Sequence, residues 1–160
     1  MSEADRIIER LDLAPHPEGG WFKETWRAPI ASGQRASSTA ILFLLKAGEC
    51  SHWHRVDAAE IWLWHAGDPL MLSMCESDEG PAERIELGPP STATRLLQAV
   101  VPPYWWQAAE LAGGGQEGYT LVSCVVAPGF EFAGFELAPP DWKPGKGGQA
   151  SEMHQHERKL

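Results

Sequence analysis

The sequence predicts an all-β sandwich or barrel preceded by one short helix. Glycine and proline are frequent, with 16 Gly and 13 Pro among 160 residues, and they divide the chain into short segments. Many of these segments are rich in β-branched, aromatic and aliphatic residues, as in the run TAILFLL at 39–45. Only residues 2–11 carry a clear helical pattern. A short helix followed by short, turn-bounded strands is typical of a sandwich or barrel.

The helix is predicted from both its ends and its apolar face. Ser2 is suited to cap the N-terminus, because its hydroxyl can accept a hydrogen bond from a free backbone N–H. Ile7, Ile8 and Leu11 recur at helical spacing and would share one face. Pro15 cannot continue a helix, so the helix should end before it.

Extended segments then follow one another with turn signals between them. We predict them at residues 21–27, 39–45, 60–65, 69–74, 83–87, 95–101, 119–126 and 130–137. No internal repeat is evident, and 160 residues suit one domain. We expect that domain to span residues 1–142. Residues 143–160 are glycine-rich and polar without periodicity, which predicts a loose tail.

The charge balance narrows the classes of partner. Thirteen basic against 22 acidic residues give a formal net charge of -9. Nucleic acids and anionic membrane surfaces both require a basic face, so neither is expected as a partner. No apolar run reaches the roughly 20 residues that span a bilayer, and the N-terminus lacks the apolar core of a signal peptide. Three cysteines without C-x-x-C spacing argue against a disulfide framework, and we expect a cytoplasmic protein.

The strongest chemical signal is the pair His52 and His54. Residues i and i+2 of a strand point to the same face, so both imidazoles would enter one space. Glu60 starts the next apolar strand, and a hairpin could bring it beside them. Two imidazoles and a carboxylate can bind a divalent metal such as Zn, Fe, Ni or Mn. The alternative is a metal-free pocket in which a histidine pairs with Glu60 and acts as a general base.

The spacing around these residues resembles the first signature of the cupin superfamily. Gly48, the H-x-H pair, Glu60 and Gly67 match its glycines, histidines and glutamate. The second cupin signature, P-x-G-x-x-H, corresponds to residues 102–107, PPYWWQ. There Gln107 takes the place of the histidine that is the fourth metal ligand in cupins. The resemblance therefore implies Gln107 as a weak fourth ligand.

Four segments sharpen the resemblance to one small cupin family. They are HPEGGWFKETWR at 16–27, SHWHRVDAAEIW at 51–62, HAGDPL at 65–70 and VAPGFEFAGFEL at 126–137. All four are similar to hallmark segments of the family known as domain of unknown function 985, or cupin 5. The resemblance implies a double-stranded β-helix, or jelly roll, and a homodimer. It implies no particular reaction, although this family is similar in structure to sugar-nucleotide epimerases.

Tryptophans cluster in and beside the same segments. The chain has eight Trp, and an aromatic-lined pocket for a flat or sugar-like ligand is one interpretation, with core filling as the alternative. In the last segment, residues 131, 133 and 135 share one face and residues 130, 132, 134 and 136 the other, and either could face the pocket. The residues predicted to contact a ligand are Trp21, Lys23, Thr39, Trp62, Trp64, Trp105 and Phe132. Glu18 and Arg27 are further polar candidates at the barrel mouth.

Three functions are compatible with these features. The first is an enzyme acting on a small polar molecule, such as a carbohydrate or sugar-nucleotide epimerase, with His52 or His54 and Glu60 as base and Tyr104 as acid. The second is a metal-dependent cupin enzyme of the dioxygenase or isomerase type. The third is a non-catalytic module that binds a small molecule. The cupin fold hosts all three, so fold alone does not choose among them.

Overall fold

A computed structural model describes residues 1–91 and 94–145. Helix α1 (Glu3–Leu11) begins after Ser2, whose hydroxyl accepts from the Asp5 backbone N–H while the Asp5 carboxylate accepts from Ser2 N–H. This reciprocal cap confirms the predicted start of the helix. Asp12 follows in a left-handed conformation and ends it. Most of the predicted tail, residues 146–160, lies outside the described part of the chain.

Twelve strands form two six-stranded sheets in the described residues. Their bounds are β1 Ala14–Pro15, β2 Trp21–Arg27, β3 Thr39–Lys46, β4 Cys50–Val56, β5 Ala59–Gly67, β6 Leu70–Cys75, β7 Glu83–Leu87, β8 Arg95–Leu96, β9 Gln98–Val101, β10 Trp106–Leu111, β11 Tyr119–Ala127 and β12 Phe135–Leu137. The first sheet has the order β1-β2-β3-β11-β5-β9, and the second has the order β12-β4-β10-β6-β7-β8. Almost all pairings are antiparallel, so the predicted all-β fold with one helix is confirmed.

Two segments differ from their predicted form. The single strand expected at 95–101 is divided between β8, which pairs in the second sheet, and β9, which pairs in the first. The segment 130–137 forms a strand only from Phe135, because Phe132–Gly134 is a turn of 3₁₀-helix closed by a bond from Gly134 N–H to Glu131 O. Strand β10 carries no strong strand signal of its own and is held by pairing on both sides.

The inner faces of the two sheets form one hydrophobic core. Phe43, Trp62 and Val122 from the first sheet meet Leu72 and Met74 from the second. Burial of these large side chains is the main force joining the sheets. No helix among the described residues is long and apolar enough to cross a bilayer.

Candidate functional site

A cavity of about 420 Å³ lies between the two sheets. Four polar side chains with little exposed surface form a group that we call the His–Glu cluster: His16, Glu18, His54 and Glu60. The walls are apolar and comprise Phe22, Ile41, Val56, Val126, Phe130 and Phe132. Glu24, Arg27 and Glu131 line the solvent-exposed part, and buried Thr39 completes the lining.

A β-bulge in β4 decides which histidine enters the cavity. Gln107 of β10 lies opposite His54 and Ala109 lies opposite Ser51, so three steps on β4 face two on β10. The extra residue shifts the alternation, and Ser51 and His54 both point inward. His52 lies on the other side of β4, where its Nε2 is 2.8 Å from the Pro139 carbonyl oxygen. The prediction that His52 and His54 converge is therefore wrong, because strict alternation does not hold across the bulge.

The ring of His54 is oriented by the bulge itself. Its Nδ1 is 2.7 Å from the carbonyl oxygen of His52. Because a carbonyl only accepts, Nδ1 carries the proton. The other nitrogen, Nε2, lies 3.1 Å from Glu18 Oε2. Burial lowers the pKa of His54, which favours a neutral imidazole whose unprotonated Nε2 lies beside the Glu18 carboxyl group.

Glu18 is held by the neighbouring strand at both its backbone and its side chain. Its carbonyl oxygen accepts from His52 N–H at 2.8 Å, and its Oε1 accepts from Ser51 Oγ at 3.0 Å. Burial raises the pKa of Glu18 to about 8, opposed by the Ser51 bond. A protonated Glu18 can donate to His54 Nε2. The 3.1 Å contact therefore places a carboxyl group whose pKa is raised beside an imidazole whose pKa is lowered.

His16 contributes a second imidazole from the segment between β1 and β2. Its Nδ1 accepts from Glu18 N–H at 3.1 Å, which places the ring proton on Nε2. The ring packs edge-on against Phe22 with centroids 4.5 Å apart. Burial, and then the nearby His54, lower the pKa of His16 to about 4, so it is neutral at pH 7. No role was predicted for His16 from the sequence, although it stands two residues before Glu18 and shortly before a Gly-Gly pair.

Glu60 is bonded to the residue that the cupin resemblance offered as a metal ligand. Gln107 Nε2 donates to Glu60 Oε2 at 2.9 Å, while Gln107 Oε1 accepts from Trp62 Nε1 at 2.8 Å. The indole N–H can only donate, so it fixes which end of the amide faces Glu60. Burial raises the pKa of Glu60 to about 7, partly opposed by His54 and by hydrogen bonds from Gln107 and Cys124.

The donor set does not fit the predicted metal site. His52 is turned away from the cavity, and the oxygen of Gln107 is already occupied by Trp62. Within residues 1–91 and 94–145, no three His, Cys, Asp or Glu side chains are grouped so that they could hold a metal ion. The groups present, His54 with Glu18 and Glu60, are instead buried titratable side chains with shifted pKa values.

Two of the seven predicted ligand contacts line the cavity, namely Thr39 and Phe132. Trp62 and Trp64 do not line it. They share a face with Glu60 but lie two and four residues further along β5, about 7 and 13 Å away. Trp62 is fully buried in the core and Trp64 packs beside it. The alternative of core filling therefore holds for both, and the cavity walls are phenylalanine rather than tryptophan.

The remaining predicted residues lie elsewhere. Trp21 donates to Glu49, and Lys23 pairs with Asp12 near the end of α1. Trp105 packs against the core. Tyr104 is 63% exposed and borders a separate depression, so it faces no group of the His–Glu cluster. Its prediction as the acid rested on position in the sequence, and the turn before β10 directs it outward.

Comparisons with known proteins agree with this architecture. A protein from Shewanella oneidensis of known crystal structure is 38% identical, with a TM-score of 0.77 over 86% of this chain and 85% of that one. A hypothetical protein from Leishmania major is 35% identical, with a TM-score of 0.76 over 85% and 86% of the two chains. An oxalate decarboxylase from Bacillus subtilis shares the fold at 13% identity, with a TM-score of 0.57 over 79% of this chain and 30% of that one.

A comparison with curated protein sequences gives no significant match. The family model described as "Cupin superfamily (DUF985)" matches residues 5–138, which is most of the chain. The fold and the two structural relatives above 30% identity agree with this match. The chain belongs to the DUF985 family of the cupin superfamily.

Proposed function

We propose that this protein binds a small polar molecule in the cavity and moves a proton on it, as an isomerase or epimerase does. The observation that carries the proposal is the 3.1 Å contact between His54 Nε2 and Glu18 Oε2 at a cavity wall. A neutral imidazole beside a protonated carboxyl group offers a base and an acid in the same place. The descriptions of the Shewanella oneidensis and Leishmania major proteins name no reaction, so the proposed chemistry rests on this geometry.

The proposed reaction begins when a ligand carbonyl enters the cavity. The Glu18 hydroxyl donates a hydrogen bond to the carbonyl oxygen, and the Nε2 lone pair of His54 is available as the base. His54 then removes a proton from the carbon next to the carbonyl, and Glu18 stabilises the enol oxygen. If Glu18 has given its proton to the former carbonyl oxygen, return of the His54 proton to the former carbonyl carbon and loss of the α-hydroxyl proton to the Glu18 carboxylate give the isomeric carbonyl compound. Glu60, with a pKa raised to about 7, can supply a proton from another direction and so invert the carbon.

The cavity charges favour a neutral or cationic substrate over a sugar nucleotide. Four glutamates and one arginine line the cavity, and Arg27 is already bonded to Glu24 at 2.7 Å. A pyrophosphate would bring two negative charges next to Glu131 and would find no free arginine or lysine among the lining residues. A simple carbohydrate or another uncharged carbonyl compound meets no such repulsion.

Proton exchange in heavy water tests the proposal directly. The protein is incubated in D₂O with a panel of aldoses, ketoses and other α-hydroxy carbonyl compounds, and loss of the α-proton signal is followed by NMR. We expect exchange with at least one class of compound. His54→Ala should slow it by about a hundredfold or more, and Glu18→Gln should slow it as well.

His52→Ala is the matched control, because that ring lies outside the cavity and only two residues away. The His52→Ala variant should catalyse exchange of the α-proton at the wild-type rate. Equal loss in His52→Ala and His54→Ala would contradict the proposal. Tight binding of a compound without any exchange would instead indicate a non-catalytic binding module.

A further inference from the structure

We propose that the ligand of this cavity carries a compact cationic nitrogen, such as a primary amine, on an apolar or aromatic body. The inference deepens the proposed function by naming the substrate class for the same cavity. It is carried by the chemistry of the walls, by the hydrogen-bond acceptors of the buried end and by the charges near the opening.

The walls require an apolar body on the ligand. Six of the lining residues are Phe, Ile or Val, and only Thr39 among the remaining wall positions offers a hydroxyl. Phe130, Phe132 and Phe135 pack edge to face, with centroids 5.0 Å apart for Phe130 and Phe132. Phe132 is nonetheless 61% exposed. A ligand with an apolar or aromatic body would cover this ring and recover its burial energy.

The buried end of the cavity offers the carboxyl oxygens of Glu60 and Glu18 as acceptors and the ring N–H of His16 as a donor. Glu60 Oε2 accepts from Gln107, whose orientation is fixed by Trp62. Apart from the weak thiol donor of Cys124, Glu60 has no further hydrogen-bond donor among the described residues. Glu18 Oε1 accepts from Ser51, and its Oε2 faces His54. A ligand head with several N–H donors therefore matches this end better than a carboxylate or phosphate head.

The charges near the opening point to the same ligand class. Arg27 is the one cationic side chain in the lining, and it is bonded to both Glu24 oxygens and to the Phe130 carbonyl. Glu131 forms no ion pair within residues 1–91 and 94–145. An ammonium group would meet the Glu131 carboxylate, which also lies within electrostatic reach of Arg35, and the faces of phenyl rings, which attract cations.

Three probes with one body and different heads test the inference. Phenethylamine, 2-phenylethanol and phenylacetate are titrated into the protein at pH 7 by calorimetry. We expect the amine to bind about tenfold or more tighter than the alcohol, and phenylacetate to bind most weakly. Glu131→Gln should weaken the amine several-fold and leave the alcohol unchanged. Glu9→Gln, which removes an exposed carboxylate on α1, is the matched control and should change neither.

The outcomes separate this inference from the proposed function. Tighter binding of phenylacetate, equal binding of amine and alcohol, or no binding of any probe overturns the inference. If one of these results is obtained but the protein still exchanges a proton in D₂O with a compound that lacks an amine, the inference fails and the proposed function still holds. Selective binding of the amine in a protein that exchanges no proton on any compound supports the ligand class and overturns the proposed function.

Discussion

One inserted residue in β4 turns the side chains of His54 and His52 to opposite sides of the strand. That difference determines which of the two imidazoles lines the cavity. His54 meets Glu18, whereas His52 meets the Pro139 carbonyl on the opposite side of β4. The backbone oxygen of His52 nevertheless acts on the cavity, because it fixes the protonated nitrogen of His54. At the scale of single residues, the His–Glu cluster is thus a set of buried groups whose pKa values depend on one another and on burial.

Glu18 should make stability fall as pH rises. Its folded pKa, about 8, is above its ordinary value of 4.5, so the folded state keeps a proton that the unfolded state has lost. Between pH 5 and 8 this difference in bound protons lowers the free energy of unfolding by at most about 1.4 kcal/mol per pH unit. Glu18→Gln removes the group and should flatten this dependence. Urea unfolding at pH 5.5, 7 and 8.5 measures it, and parallel curves for the two proteins would contradict the assignment.

Gln107 should be important for stability through its two buried bonds. Gln107→Leu leaves the Trp62 indole N–H and one Glu60 oxygen without their partners, so we expect a loss of roughly 2–5 kcal/mol. Adding Trp62→Phe removes one of the orphaned groups, and the double variant should lose less than the sum of the single losses. Urea unfolding of the wild type, the two single variants and the double variant measures this coupling energy. Simple additivity would show that the bonds to Gln107 are not coupled.

At the scale of elements, the segment between β1 and β2 matters because it places two cluster residues against β4. His16 and Glu18 belong to no long strand. Glu18 nevertheless accepts hydrogen bonds from two residues of β4, the backbone N–H of His52 and the hydroxyl of Ser51. Gly19 makes the approach possible, since its φ is +106° and a Cβ there would lie 2.1 Å from the Cys50 carbonyl oxygen. The glycine pair after Glu18 is thus part of how the cavity is built.

Gly19→Ala should therefore disturb both the fold and the site. The backbone oxygen of Cys50 cannot move aside as a flexible side chain could, so the segment must shift. Gly33→Ala is the matched control, because Gly33 also has a positive φ, +79°, but has nothing within 4 Å of an added Cβ. We expect Gly19→Ala to cost at least about 2 kcal/mol more than the control. Chemical denaturation measures this, and equal losses would contradict the close approach.

At the scale of the whole molecule, the metal content of the protein follows from the geometry of the cluster. Glu60 and Gln107 satisfy each other and His52 points elsewhere, so we expect no stoichiometric Zn, Fe, Ni or Mn after purification without chelator. EDTA should leave the melting temperature unchanged, because no bound ion would be lost from the folded state. Elemental analysis with and without metal supplementation checks this. A full equivalent of metal, or a large fall in melting temperature, would contradict it.

The assembly of the molecule remains a prediction from the family resemblance and from the surface. Several large apolar side chains are exposed in the single chain, including Trp26, Leu97 and Val100. Covering such groups is a common reason for association. We expect a homodimer, which light scattering would detect as twice the chain mass at micromolar concentration. A single-chain mass at that concentration would rule it out.

The sequence by itself determined the features that depend on local pattern. The Ser2 cap, the short strands between glycine and proline turns, and the cupin spacing around His54 and Glu60 are all written within a few residues. These sufficed to predict the fold class, the family and three members of the His–Glu cluster, His54, Glu60 and Glu18. Arg27, Thr39 and Phe132 were also predicted as contacts, and all three line the cavity.

Only the tertiary structure decided how these residues face one another. The bulge in β4 arises from pairing with β10, more than fifty residues away in the chain, and it reversed the side on which His52 lies. His16 joined the cluster because the Gly-Gly segment folds onto β4, and Gln107 became a donor because Trp62 reaches it across the core. Side-chain alternation is a local rule, but register and hydrogen-bond partners are set by distant strands, and those strands determine which groups line the cavity.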